Sequence, residues 1–167
     1  MTSGFIFCPR CATRLIEGRS AAHQRPSCPA CGFIHFADPK VAVIALITCE
    51  QQVLLTLRGV DPEKGKWSLP GGYMDAGEMP EDAMRREMRE EMQLDLAELY
   101  FHAFLAMSGG RGIVIAFRSS PVSGRCDALV GYDDVAEARW FGKDSLPPHD
   151  QLAFDTTISL LAAWLTS

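Results

Sequence analysis

Three observations in the sequence predict an α/β (α+β) fold, a mixed sheet packed between helices with a small separate unit in front of it. Strand-like apolar runs come before, between and after two helix-like segments, a pattern that packs helices on a mixed sheet. Two Cys-x-x-Cys pairs are confined to the first 31 residues, which are otherwise poor in apolar anchors. The length, 167 residues with 47% hydrophobic and 22% charged, suits one ordinary domain with an appendage and rules out disorder, collagen and coiled coil.

The leading unit comes first. Cys8-Pro9-Arg10-Cys11 and Cys28-Pro29-Ala30-Cys31 each hold two thiols two residues apart, with sixteen residues between the pairs. A short turn aims two thiolates at one edge of a tetrahedron, and a second turn completes it, which is the spacing of a zinc ribbon. About forty residues bury too little apolar surface to fold alone, so Zn2+ would supply much of the folding free energy. The ion would be structural, because four thiolates leave no position for a substrate. His23 and His35 are then surplus to the shell. A dithiol redox pair or four unrelated buried cysteines are the weaker alternatives. Cys49, in an apolar strand pattern, and Cys126, in a polar loop, are expected to be plain thiols.

Asp38-Pro39-Lys40 marks the boundary, since proline stops strand pairing just before the run Val41 to Ile47. The division is thus 1–37 for the ribbon and 38–167 for the main domain. Val41–Ile47 reads as a buried strand, Glu50–Gln52 as a turn and Val53–Leu57 as the returning strand, followed by a loop from Gly59 to Lys66. Tyr100–Met107, Ile113–Phe117 and Ala138–Phe141 are further strands. One helix is predicted from Pro80 to about Met92. A second is predicted over Gln151–Leu165, where Leu152, Ile158, Leu161 and Leu165 fall near helical spacing.

Charge narrows the partners. Residues 1–40 carry five basic and two acidic side chains, a surplus of +3, which leaves −8 for the remainder of a chain of net charge −5. An acidic body does not draw nucleic acid over long range, so nucleic acid is not an expected partner. The longest apolar runs fall short of the ~18 residues of a membrane span, and MTSGFIFCPRC has no export-signal pattern. A cytoplasmic protein is expected, and a reducing compartment favours metal over disulfide for ordered cysteines.

The chemistry is concentrated between Trp67 and Leu94. Pro80 suits a first helical turn, and Glu81 and Asp82 complement its positive end. At 100° per residue, Glu87, Glu90 and Glu91 share an arc of about 100°, beside a stripe of Met84, Met88 and Met92. Three like charges so close repel, and a divalent cation would relieve that cost. Hard oxygen donors in this number suit Mg2+ or Mn2+, which bridge to substrate phosphates. A solvated acidic helix interleaved with Arg85, Arg86 and Arg89 is the competing reading.

The wider pattern decides between them. Gly72, five residues, Glu78, seven residues, then Arg86-Glu87-Met88-Arg89-Glu90-Glu91 and an apolar Leu94 resembles the Nudix box, in register throughout. One position departs: the residue before Leu94, normally glycine, is Gln93, which puts the exit from the helix in question. The four-cysteine ribbon, Asp38-Pro39-Lys40, Gly65-Lys66-Trp67-Ser68-Leu69-Pro70-Gly71-Gly72, Ala138-Arg139-Trp140-Phe141 and Leu152-Ala153-Phe154 extend the resemblance to ribbon-bearing Nudix hydrolases of the ADP-ribose and FAD pyrophosphatase group. Nudix NADH pyrophosphatases also carry a ribbon, but their downstream Ser-Gln-Pro-Trp-Pro-Phe-Pro segment is replaced here by Met107-Ser-Gly-Gly-Arg-Gly112.

The resemblance implies the Nudix fold and metal-dependent hydrolysis of a nucleoside diphosphate linked to another group, ADP-ribose or FAD preferred. It implies that Glu87, Glu90 and Glu91 ligate Mg2+ or Mn2+, joined by the Gly72 carbonyl, and that Arg86 pairs with Glu78. The general base is either a box glutamate, Glu87 or Glu90, or a later loop acid, Asp133, Asp134 or Glu137. NADH or another dinucleotide is the alternative substrate. A nonhydrolytic nucleotide sensor or zinc-ribbon binding protein is the alternative from another class, and its mark, a lost box glutamate, is missing. A small-molecule nucleotide is the expected partner, and the family allows a homodimer. Trp67, Tyr73, Phe104, Trp140 and Phe154 are candidates to stack on a base, Arg58 and Lys66 to grip phosphate, and the turn Ser108–Gly112 to approach a nucleotide closely. Each has an ordinary reading as core, surface or hairpin. His102 and His149 carry no partner pattern.

Overall fold

The computed structural model describes residues 5–17, 25–110, 112–124 and 126–166. The chain divides into two compact units, Met1–Pro39 and Lys40–Ser167. His23, considered above as a metal ligand, lies outside the described residues.

The first unit is built from one turn used twice. Cys8 N–H donates to Thr13 O (2.8 Å) and Ala12 N–H to Cys8 O (2.9 Å); twenty residues on, Cys28 N–H donates to Phe33 O (2.7 Å) and Gly32 N–H to Cys28 O (3.0 Å). The residue after each second cysteine, Ala12 or Gly32, has positive φ (56° and 73°), which turns the chain back over the thiols. Bridges between Ile16 and Ser27 and between Ser27 and Ile34 tie the turns together. Apart from Cys8 and Cys28 the described side chains here are not buried, and Phe5, Ile6, Phe7 and Phe36 are more than half exposed.

In the second unit the strands are β1 (Lys40–Cys49), β2 (Gln52–Arg58), β3 (Trp67–Ser68), β4 (Tyr100–Ala106), β5 (Gly112–Ser119) and β6 (Val135–Gly142), and the helices are α1 (Pro80–Met92) and α2 (Asp155–Leu165). The sheet order is β3-β2-β1-β5-β4, with β6 also on β2. β1 and β5 are parallel and the other pairs antiparallel, so the sheet is mixed. β1 and β2 touch only near their hairpin, at Thr48–Val53 and Cys49–Gln52. Along the rest of β1 the segment after β3 takes that edge: Val43 N–H donates to Gly72 O, Ala45 N–H to Pro70 O and Met74 N–H to Val41 O.

Alternation along β1 sends Val43, Ala45 and Ile47 to one face, where Ala83, Met84, Met88 and Met92 of α1 join Leu54 and Phe117. Leu46 goes to the other, with Leu160, Leu161 and Trp164 of α2 and Trp67 and Phe141. The sheet is therefore packed between two helices, as the sequence predicts.

Two expectations need correction. The second helix starts at Asp155, not Gln151: Leu152 is drawn into a parallel bridge beside Trp67, and Ala153 N–H donates to Trp67 O at 2.7 Å, so the apolar spacing at Leu152 belongs to sheet pairing. Cys49 and Cys126 are not plain thiols; they form a disulfide, with Cα atoms 5.7 Å apart across 77 residues of sequence. The end of β1 meets the loop between β5 and β6, a juxtaposition with no local signature. Among the described residues, no helix is long and apolar enough to cross a membrane.

Candidate metal centres and active site

In the ribbon, Cys8, Cys11, Cys28 and Cys31 bring their sulfurs within 4.8 Å of one another. Individual separations are 3.4 Å for Cys11 to Cys28, and 3.6 Å for Cys8 to Cys31 and for Cys11 to Cys31. A Zn–S bond of ~2.3 Å in a tetrahedron places sulfurs roughly 3.8 Å apart, so this donor set fits Zn2+. The Thr13 hydroxyl, followed by the Thr13 backbone, pulls the Cys11 thiol down to about 6, while against the pull of the Phe33 backbone, burial and the neighbouring thiols push Cys31 up to about 12. His35 is engaged elsewhere, its ring tilted against Phe5 at 4.9 Å.

The second constellation forms where the loop after β3 meets α1. Pro80 sits at the helix start with Glu81 and Asp82 in the first turn, and Met84, Met88 and Met92 hold the helix on the sheet. That anchoring turns the adjacent stripe of carboxylates toward the loop. Gly72 has no room for a side chain: a Cβ there would come 2.5 Å from the Glu87 carboxylate. Its carbonyl accepts from Val43 N–H at 2.9 Å, which leaves one lone pair for another partner.

Arg86 is the hub. Its Nε and Nη2 donate to the two oxygens of Glu78, both at 3.0 Å, a bidentate pair. Nη1 donates to Glu87 Oε1 (2.9 Å) and Glu90 Oε2 (3.0 Å), and Nη2 also reaches the Tyr73 carbonyl (3.1 Å). Glu78 in turn accepts from Asp75 N–H at 3.1 Å, and Arg86 holds its carboxyl below the usual range. The loop is thus clipped to the helix by one guanidinium. The same cation bridges Glu87 and Glu90, so their crowding is relieved in part by the chain itself and not by a divalent ion alone.

Glu91 lies deeper. It is 6% exposed, and its Oε2 is buried with no hydrogen-bond partner. Burial, then the charges of Glu87 and Asp134, push its carboxyl up to about 9, with the Gly71 backbone and Arg58 acting the other way. Glu87 is also raised, chiefly by burial. Among the loop acids, Asp134 is within electrostatic reach of both Glu87 and Glu91. Its carbonyl accepts from Gly59 N–H at 2.7 Å, and Tyr132 N–H donates to the Glu91 carbonyl at 2.8 Å, fixing this loop against β2 and α1. Glu137 is not a loop acid: it lies on β6, paired with Leu57, and is engaged by Arg139.

Beside the loop lies a cavity of about 710 Å3, lined by Gly71, Gly72, Tyr73, Arg58, Lys66 and Phe154 among others. Four of the sequence candidates for ring or phosphate contact, Tyr73, Phe154, Arg58 and Lys66, meet there, with Ser108, Gly109 and His149. Trp67 belongs to the core, edge-on to Phe141, while Trp140 donates from Nε1 to Asp127 O and Phe104 is 70% exposed; none of the three lines the cavity. Gln93 adopts the left-handed conformation (φ 53°, ψ 33°), with Leu94 N–H reaching back to Met88 O at 3.1 Å. The helix therefore ends as a glycine would end it. The Glu91 orphan oxygen is the feature sequence reasoning missed; a glutamate followed by a buried methionine gives no local sign of it.

The family model for the NUDIX domain matches residues 38–160. The chain belongs to the Nudix family. Among curated relatives it is similar to the NAD-capped RNA hydrolase NudC of Pseudomonas aeruginosa (strain LESB58), 31% identical over 85% of this chain and 49% of the relative. It is 34% identical to an ADP-ribose pyrophosphatase of Methanocaldococcus jannaschii over 72% of this chain and 70% of that protein. The chain thus spans about half the length of the NudC relatives. A solved Nudix hydrolase from Nitrosomonas europaea superposes with TM-score 0.86 at 27% identity, covering 97% of this chain and 91% of that one.

Proposed function

We propose that this Nudix protein is a pyrophosphohydrolase that cleaves the diphosphate of a nucleoside diphosphate linked to another group, with ADP-ribose or FAD preferred. The observation that carries the reading is the buried, unpartnered Glu91 Oε2 beside Glu87, in a site that Arg86 organises. A hard-oxygen donor is left without a partner where the family pattern places a divalent cation.

In this reading Glu87, Glu90 and Glu91, with the Gly72 carbonyl, hold Mg2+ or Mn2+. Such a cation, when bound, supplies charge neutralisation for the diphosphate and a water of lowered pKa. Arg86 and Glu78 keep loop and helix in register, so the donors stay fixed during turnover. The base is Glu87 or Glu90, or an acid further along the chain; of Asp133, Asp134 and Glu137, the position of Asp134 near both box glutamates supports it best. The ribbon, residues 1–37, holds a structural Zn2+, and residues 38–167 carry the chemistry. NADH or another dinucleotide is the second reading, favoured by the similarity to NudC.

The test is incubation with Mg2+ or Mn2+ and a panel of ADP-ribose, FAD, NADH, nucleoside triphosphates and NAD-capped RNA, with products identified by mass. Two monophosphates from ADP-ribose or FAD support the proposal. No cleavage of any diphosphate, or equal turnover by Glu90→Gln, refutes it.

A further inference from the structure

Phe154 stands in a backbone conformation that residues with a Cβ avoid, φ 61° and ψ 137°. Such strain persists only where the surroundings over-determine it. Here they do. On one side Ala153 N–H is fixed to Trp67 O at 2.7 Å; on the other α2 begins at once, with Ile158 N–H on Phe154 O at 3.2 Å and Leu69 N–H donating to Thr157 Oγ1 at 3.3 Å. A glycine would hold this turn at lower cost. An aromatic ring stands there instead, and it belongs to neither apolar core cluster but lines the 710 Å3 cavity.

Arg58 gives the ring a direction. Its guanidinium lies 5.0 Å from the ring centroid and is steadied by donating from Nε to Pro62 O at 2.7 Å. Its charge is also felt by Glu91. Phe154, Arg58 and the Gly71–Gly72 turn line the same cavity, and Gly72 lies against the Glu87 carboxylate, so ring, positive charge and box glutamate adjoin one space as a planar base, a phosphate and a reacting centre do in a nucleotide.

We propose that the Phe154 ring is the stacking platform for the substrate's base, with Arg58 receiving the adjoining phosphate, so that Phe154 sets the preference for nucleotides over base-free diphosphates. This rests on the hydrolase reading above. Ring stacking is sequence-tolerant, so the platform takes adenine or flavin by shape and π surface. Loss of a stacked base costs on the order of ten- to a hundredfold in affinity.

The experiment is calorimetric titration of AMP and of ribose 5-phosphate, in Mg2+, into the full zinc-loaded chain and its Phe154→Ala, Phe154→Trp and Phe154→Gly variants, with melting curves alongside. AMP affinity should fall on the order of ten- to a hundredfold in Phe154→Ala and Phe154→Gly and be kept in Phe154→Trp, while ribose 5-phosphate binding stays unmoved. Phe154→Gly should melt above Phe154→Ala, because glycine relieves the positive φ; lost binding then cannot be ascribed to unfolding. With ADP-ribose the loss should fall on KM rather than kcat. Unchanged AMP binding in Phe154→Ala, equal loss of AMP and ribose 5-phosphate, or no AMP binding by the parent protein overturns the proposal. Phe154-dependent AMP binding in a chain that cleaves no nucleotide would instead sink the hydrolase reading and leave the platform standing.

Discussion

The ribbon and the carboxylate site treat negative donors in opposite ways. Four thiols converge within 4.8 Å of one another, with no ion pair to any of them among the described residues, in a unit where only Cys8 and Cys28 of those residues are buried. The carboxylates of Glu78, Glu87 and Glu90 are instead gathered by Arg86, on a helix held to the sheet by its own methionines. The contrast separates the roles the two proposed metals would have. An ion that is the core of the ribbon would take the fold with it when removed; where an arginine already balances part of the charge, the fold would persist and only the proposed chemistry would depend on the ion.

The largest effect should come from the ribbon. Stripping zinc with a chelator, or Cys28→Ser, forfeits a binding free energy on the order of 10 kcal/mol, and amide signals of residues 5–17 and 25–37 should collapse while those of the sheet remain. If both units melted together, the contrast would be broken. Next, if Glu90 is the metal donor proposed above, Glu90→Gln should lower kcat by roughly a hundredfold or more, with the melting midpoint within a few degrees of the parent. Arg86→Ala should do both kinds of harm. It leaves Glu78 and Glu87 uncompensated in a half-buried setting, costing roughly 2 kcal/mol of stability by denaturant titration as well as activity.

A pH titration sharpens the same point. Glu91 is pushed up to about 9 by burial, against an ordinary carboxylate near 4.5. The folded chain therefore binds its proton more tightly than the unfolded chain, and stability contributed by this group is present at low pH and lost as pH rises toward 9. In metal-free buffer the melting midpoint of the sheet domain should fall by a few degrees across that window, and Glu91→Gln should flatten the curve. The smallest effect is at the helix exit: Gln93→Gly, at φ 53°, should stabilise by up to about 1 kcal/mol with activity unchanged.

How much of this was legible beforehand follows the range of the interactions. The helix expected from Pro80 to about Met92 is found at Pro80–Met92, because its start signal and its methionine stripe lie within a few turns, whereas its exit at Gln93 had no glycine to mark it. The Arg86–Glu78 clip was readable through the family pattern and is present as a bidentate pair. The disulfide between Cys49 and Cys126 was missed because 77 residues separate its halves, and an assumed reducing compartment argued against it. The start of α2 was misplaced because Leu152 has helical spacing but is recruited by Trp67. The convergence of Tyr73, Arg58, Lys66 and Phe154 on one cavity, and the orphaned oxygen of Glu91, are products of tertiary packing, and no periodicity in the chain encodes them.

The division of labour between the two donor sets can be tested in one crystal. Zinc-loaded protein soaked in Mn2+ and measured at the zinc and manganese absorption edges should show zinc among Cys8, Cys11, Cys28 and Cys31, and manganese against the carboxylates of Glu87, Glu90 and Glu91. Manganese absent from those glutamates, with their oxygens turned to bulk solvent, would contradict the account.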